Sequence, residues 1–232
     1  MRQALASTER GYDLIAPKFD HTPFRTPDVV IDEMVKEMGP VGSALDVCCG
    51  TGAVMLKMRA ICKDRLTGLD FSQGMLDEAR RRLGPEDGTP RVELVRGDAM
   101  ALPFREEFDV VTSAGAFGHI LVEDEERFIH GLFDVLRPGG RFVFPTTRAP
   151  RLRDAWFWMA HGFNAVMRVR NVVLKPEFIM YYLTFLWPEI RSKLERAGFV
   201  VRAADHGRFV IVTATKPGKS PGREKLDEAE TK

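Results

Sequence analysis

ALDVCCGTG, residues 44–52, passes from an apolar strand into a glycine turn, and residues 53–59 continue with helical patterning. A strand, a glycine turn and a helix in that order build a main-chain cradle for a nucleotide-like ligand. Gly50 and Gly52 serve backbone needs: a Cβ at either would obstruct the tight turn and hold a ligand off the main chain. The dinucleotide fingerprint GxGxxG asks for a third glycine where helix meets strand, and this chain has Met55 after its two glycines. That argues against NAD. An acidic residue ahead of the turn, Asp46, and another ending the next strand, Asp70 in LTGLDFS, suit a ligand with an amino-acid end and a ribose.

Bulk properties narrow the class. At 232 residues the chain suits one domain with a substantial core, and 44% hydrophobic with 29% charged residues is ordinary for a soluble globular protein. A net charge of +1 gives no global pull toward nucleic acid or an anionic membrane. Three cysteines, two of them adjacent as Cys48-Cys49, make neither a disulfide framework nor a zinc site, so no metal is expected. Lacking a long apolar run, the chain is expected to be cytoplasmic, without stable membrane insertion and without nucleic acid as a partner.

Patterning orders the elements. Residues 1–43 read as a helical segment, with a helix start at Thr26-Pro27 and an apolar stripe of Ile31, Met34, Val35 and Met38. Strand two, 65–70, ends in Asp70-Phe71-Ser72, and Ser72 can cap a helix carrying Met75, Leu76, Ala79 and Leu83. After the 84–90 loop come strand three (91–96), a buried strand four (108–113), a helix with Phe128, Ile129, Leu132, Phe133 and Leu136 facing the core, and strand five (141–146). A helix from Pro188 to Ala197 and two strands around a His206-Gly207 turn follow. This is an α/β, doubly wound, Rossmann-like sheet of seven mostly parallel strands with an antiparallel C-terminal hairpin. The domain covers 1–216; the apolar-poor tail 217–232 is expected to be disordered.

Residues 148–187 interrupt the pattern with large apolar residues, all three tryptophans and five arginines (Arg148, Arg151, Arg153, Arg168 and Arg170). An insertion here sits above the carboxyl ends of the strands, where ligands bind, and reads as a helical cap over an apolar or aromatic small-molecule acceptor. Trp156, Phe157, His161, Tyr181 and Tyr182 are its candidate substrate contacts. Helices that merely cover the sheet, or a homodimer surface, remain an alternative for the same stretch.

The match of Asp46, Gly50 and Gly52 resembles the first motif, D/E-x-G-x-G-x-G, of class I S-adenosylmethionine (SAM)-dependent methyltransferases, with Cys48 in the first glycine position. The combination DVCCGTG, GLDFSQGML and LRPGG most resembles ubiquinone/menaquinone-biosynthesis and related small-molecule enzymes. That resemblance implies SAM as cofactor and methyl transfer to a carbon or oxygen of a small, fairly apolar molecule. It assigns Asp70 to the ribose hydroxyls, Phe71 and Met75 to the border of the adenine, and Asp98, Ala99 and Met100 of GDAMALPF to reading the base. Asp46, Cys48, Gly50, Thr51 and Gly52 line the cradle, and small Ser113, Ala114 and Gly115 leave room for the methionine half. Tyr12, in the GYDLIAPKFD segment, is a candidate contact from a segment folding over the cofactor. Plainer roles stand beside these: aromatic packing for Tyr12, core for Met75 and a turn-capping side chain for Asp98.

His119 in FGHI, just after strand four, is the candidate general base because imidazole titrates near working pH, while a hydrogen-bonded structural histidine is the alternative. Residues 113–116 carry none of the N/D-P-P-Y/F motif of enzymes that methylate bases at nitrogen. A non-catalytic SAM-binding protein using the aromatic segment as a partner interface is a second function class. An NAD-type oxidoreductase is a third, disfavoured by Met55.

Overall fold

Strands β1 (Val41–Val47), β2 (Cys62–Asp70), β3 (Arg91–Arg96), β4 (Phe108–Thr112), β5 (Leu136–Thr146), β6 (Val200–Asp205) and β7 (Val210–Thr215) form one sheet in the order β3-β2-β1-β4-β5-β7-β6. The computed structural model describes residues 2–22 (side chains from residue 9), 24–84, 90–148, 158, 162 and 184–218. The five strands from β3 to β5 pair in parallel, and β7 returns antiparallel between β5 and β6. Chain order reverses between β1 and β4, which places a crevice at the carboxyl ends of those two strands.

Alternation along the central strands divides the core in two. Ala44, Leu66, Val110, Val143 and Ile211 point to one face, where they meet helices α2 (Asp28–Met38), α3 (Ala53–Met58) and α4 (Gln73–Leu83) through Met34, Met38, Met55, Met58 and Leu76. Leu45, Val111, Phe142, Phe144 and Val212 point to the other, against α5 (Glu125–Val135) and α6 (Glu189–Arg196). Strands covered on both faces must be apolar on both sides, which is why their sequences run without polar alternation. The doubly wound arrangement expected from sequence is therefore present.

Several boundaries differ from the sequence reading. The helical segment expected through residue 43 ends at Met38, where Gly39 (φ 59°) donates its N–H to Val35, and β1 already begins at Val41. β2 starts three residues early, at Cys62. β5 starts at Leu136, because LRPGG pairs with Lys216 through Gly139 N–H to its carbonyl (2.9 Å) and Lys216 N–H to Gly140 (2.8 Å). The acidic run before α5 also does more than face the helix dipole. Glu125 is buried, accepts the Phe185 N–H at 3.0 Å and pairs with Lys193 of α6 at 2.7 Å. Thr146 Oγ1 donates to the Phe185 carbonyl (2.6 Å) and Thr184 Oγ1 to that of Phe117 (2.7 Å). Together with the Arg148–Trp187 bridge, these bonds tie both ends of the 149–183 segment beside the exit of β4. Most of the expected cap, the 85–89 stretch and residues 219–232 of the tail lie outside the described residues.

Met55 explains how α3 packs without the dinucleotide glycine. The close approach is transferred to the strand: a Cβ on Gly68 of β2 would lie 2.5 Å from Met55 Sδ, 2.9 Å from Cys49 Sγ and 3.0 Å from Leu94 Cδ2. Gly68→Ala is accordingly expected to destabilise the fold by about 1–3 kcal/mol through overpacking. Urea unfolding measures this, and a wild-type midpoint would show that the contact is slack.

Candidate functional site

The turn after β1 alternates through the left-handed region: Cys48 has φ 60°, Gly50 53° and Gly52 78°. Glycine adopts this conformation freely, whereas a side chain there costs on the order of 1 kcal/mol, so Cys48 occupies a position whose backbone favours glycine. Its side chain packs against the core on the α5 side. No neighbouring atom lies within 4 Å of where a Gly50 Cβ would sit, so the floor above the turn is open.

Three of the turn's amides are already engaged. Cys49 N–H donates to Leu69 (3.0 Å), Gly52 N–H to Cys49 (2.9 Å), and Gly50 N–H to Asp70 Oδ2 (2.9 Å). Asp70 Oδ1 accepts from Ser72 N–H at 3.0 Å, so one carboxylate ties the end of β2 to the turn after β1. Each oxygen keeps acceptor capacity for a hydroxyl. Beyond Asp70, Asp46 is buried with neither carboxylate oxygen hydrogen-bonded, and Ser113 Oγ is likewise buried and unsatisfied. Asp46 pairs in register with Thr112, so these two orphaned groups stand at adjoining strand ends.

Acidic side chains crowd the inner cradle, with Arg82 at its rim donating to the Thr51 carbonyl at 3.3 Å and to Thr51 Oγ1 at 3.0 Å. Burial, reinforced by Asp70, holds the Asp46 carboxyl well above its ordinary range, and burial does the same to Asp70 despite its amide partners. The Cys48 and Cys49 thiols are also pushed up, by burial first and then by Asp70 and Asp46. They are thiols rather than thiolate nucleophiles. A cradle lined by buried acidic side chains, with its Gly50 amide held by Asp70, disfavours a pyrophosphate. It fits a ligand that carries positive charge and hydrogen-bond donors, as the ammonium, sulfonium and ribose of SAM do.

The N-terminal segment roofs this cradle. Helix α1 (Arg2–Ile15) runs directly into a 3-10 helix (Ala16–His21). Tyr12 OH lies 2.7 Å from His119 Nε2, and the Tyr12 ring makes edge contact with Phe71 at 6.0 Å. Burial, then the nearby Cys48 and Asp70, raises the Tyr12 phenol far above its usual range and keeps it protonated. Asp13 Oδ1 accepts from Ser72 Oγ (2.6 Å) and Gly74 N–H (2.8 Å), closing the first turn of α4. Asp20 accepts from Thr51 Oγ1 (2.8 Å) and pairs with Arg82 (2.5 Å). The sequence reading missed Asp13, Asp20 and Arg82. Asp13 follows Tyr12 directly in GYDL, but its partners, like those of Asp20, are remote and leave no local signal.

The other expected residues are distributed as follows. Met75 is buried beneath α4 with its N–H capped by Ser72. Asp98 accepts Met100 N–H at 2.8 Å in a side-chain turn and lies close enough to Cys48 to raise its thiol, so the turn-capping role is present alongside any contact with a base. Ala99 and Met100 pack against the core, and Ala114 borders it from the other face. Gly115 (φ 82°) is not simply open: Thr26 Oγ1 and the Phe24 carbonyl stand 3.4 and 3.8 Å from its Cβ position. Trp156, Phe157, His161, Tyr181 and Tyr182 lie outside the described residues.

Comparison with known proteins agrees with this geometry. Residues 44–140 match a family described as a methyltransferase domain. The demethylmenaquinone methyltransferase of Staphylococcus aureus (strain JH9) is 32% identical over 207 residues, covering 82% of this chain and 84% of that protein. That of Listeria welshimeri is 34% identical over 148 residues, and the match spans 60% of its length. The solved DhpI complex with S-adenosylhomocysteine (SAH) superposes with a TM-score of 0.71 at 20% identity, over 95% of this chain and 100% of the other. The YcgJ protein of Bacillus subtilis gives 0.64 at 16% identity, over 82% and 99%. Sharing its fold with these structures and about a third of its residues with a relative across most of both lengths, the chain belongs to the class I SAM-dependent methyltransferases.

Proposed function

We propose that this chain methylates a carbon or hydroxyl oxygen of a small, apolar, quinol-like acceptor, with SAM as the donor. The carrying observation is the unpartnered Asp46 carboxylate beside the unpartnered Ser113 hydroxyl at the switch between β1 and β4. Asp46 and Ser113 would hold the amino-acid end of the cofactor, Asp70 the ribose, and Phe71 and Met75 the adenine border. The cofactor supplies an electrophilic methyl group. A quinol-like acceptor is supported by the similarity to demethylmenaquinone methyltransferases over most of the chain.

What this chain's own residues contribute is proton control. With its phenol kept protonated, Tyr12 is assigned as the donor to His119 Nε2, so that Nε2 serves as the proton acceptor. An acceptor hydroxyl that reaches Tyr12 gives its proton to the phenol oxygen as the phenol proton passes to Nε2. Tyr12 is restored, His119 becomes an imidazolium, and the acceptor oxyanion gains nucleophilicity at oxygen or, through an aromatic ring, at carbon. The α1 roof excludes water from this exchange.

Two experiments test the reading. Burial raises the Asp46 pKa above the 3.8 of an ordinary aspartate, so between those values the folded chain keeps a proton that the unfolded chain releases. Stability of the free protein then falls as pH rises through that window, and Asp46→Asn is expected to remove the fall while weakening SAH binding roughly tenfold or more. SAH binding to the wild type should release a proton within the same window, read by calorimetry in buffers of different ionisation enthalpy. Unchanged SAH affinity in Asp46→Asn overturns the cofactor placement.

For the relay, turnover of a short-chain demethylated naphthoquinol with labelled SAM is the readout. Tyr12→Phe and His119→Ala are each expected to lower kcat by about 100-fold, the double variant no further, because the two groups act as a unit. SAH affinity should change by no more than about twofold, since no charge is removed from the cradle. Independent, multiplying losses would sink the relay, and bound SAH without methylation would favour a non-catalytic binder.

A further inference from the structure

Phe185 is held in a conformation that its side chain disfavours. Its φ of 56° lies in the left-handed region, where a bulky residue is strained, and such strain persists only where the surroundings impose it. Two buried side chains do so: Glu125 of α5 accepts the Phe185 N–H at 3.0 Å, and Thr146 of β5 donates to its carbonyl at 2.6 Å. Lys193 of α6 pairs with Glu125 at 2.7 Å, so the acceptor is itself fixed. The ring shows what this conformation achieves. It stacks on Phe117, with centroids 4.2 Å apart and planes 7° from parallel, and meets Phe128 and Phe144 edge-on at 5.8 and 5.6 Å. Phe117 opens the 3-10 turn Phe117–His119. One residue before Phe185, Thr184 Oγ1 donates at 2.7 Å to the Phe117 carbonyl, which also accepts the Ile120 N–H that closes the turn (3.0 Å). Two consecutive residues thus grip the first residue of the turn, one by its ring and one by its carbonyl.

We infer that Thr184 and Phe185 are positioning residues for His119: they fix the turn that aims its imidazole at the Tyr12 phenol. A single 3-10 turn is poorly bonded by itself, so its orientation is set by what holds it. Proton transfer tolerates little error in that orientation, since it needs heavy atoms within about 2.6–3.2 Å of each other, and His119 Nε2 stands 2.7 Å from Tyr12 OH. The relay is therefore located from two directions. Tyr12 comes from α1, while the turn beneath His119 is set by residues that follow β5 and are anchored to α5. The effect of Thr184 and Phe185 on methylation rests on the Tyr12–His119 relay proposed above; their placing of the ring does not.

NMR of the full chain with labelled histidine reads the ring directly, the His119 signals being assigned by their loss in His119→Ala. Thr184→Val keeps the side chain's shape and removes its donor. It is expected to shift the His119 signals, as Tyr12→Phe does, and Thr184→Ser, which restores the hydroxyl, should return them. Phe185→Leu, which keeps apolar bulk without the stack, should act as Thr184→Val does. SAH binding as in the wild type shows that each variant has folded. In turnover of the short-chain demethylated naphthoquinol, Thr184→Val should lower kcat about tenfold and Thr184→Ser should recover it. Placed in the His119→Ala background, Thr184→Val should cost nothing further, because an imidazole's contribution is lost only once. Unmoved His119 signals in Thr184→Val and Phe185→Leu overturn the proposal. So does a kcat loss of equal size with and without His119, the mark of a merely structural role. Shifted signals together with wild-type turnover in His119→Ala would remove the relay and leave the positioning of the ring standing.

Discussion

One carboxylate organises the centre of this molecule. Asp70 ends β2, and its two oxygens accept the N–H groups of Ser72 at 3.0 Å and Gly50 at 2.9 Å. The first bond turns the chain into α4, and the second fixes the left-handed turn after β1. Buried against its own solvation, the group is kept in place by main-chain donors rather than by a cation, since no basic side chain pairs with it among the described residues. The pocket it shapes is therefore anionic, and Asp46 beside it adds a second carboxyl with no hydrogen bond at all. A fold seldom keeps such a group buried for stability, because leaving it unpaired costs about 1–3 kcal/mol. A cationic group placed beside Asp46 would remove that cost.

The parts of this arrangement that were legible in the sequence are those set by local backbone demands. A glycine turn after an apolar strand, an acid at the end of the next strand and a serine cap are short-range patterns, and ALDVCCGTG and LDFS display them within a few residues. The sheet order followed because alternating strand and helix patterns admit few topologies. Cys48 was legible only as a departure. Its φ of 60° gives the departure a physical content: the backbone has kept the conformation a glycine would take, and the thiol is carried as core packing.

What could not be read depends on contacts between distant residues. Thr51 meets Asp20 across 31 positions, Ser72 meets Asp13 across 59, and His119 meets Tyr12 across 107. No periodicity reports which acids of an N-terminal helix will turn inward. Gly68 is a related case: Met55 argued correctly against a dinucleotide helix, but the compensating glycine lay in the neighbouring strand, where a sequence pattern gives it no special mark. Boundary differences at β1, β2 and β5 share a cause as well, because pairing extends each beyond its apolar run: Val41 with Cys62, and Leu136 with Phe108.

These long-range contacts converge on a single rod, helix α1 and the 3-10 helix that follows it. Its inner stripe touches the helix cap that follows Asp70, the glycine turn and the histidine after β4, so three separately encoded parts of the site acquire their positions relative to one another through one element. Each contact alone is a single hydrogen bond, worth about 1 kcal/mol net. Their coupling matters more than their sum: displacing the rod would at once take Asp13 from Ser72 and Gly74, Asp20 from Thr51 and the Tyr12 phenol from His119. Motion of the rod is thereby coupled to the order of all the parts it touches.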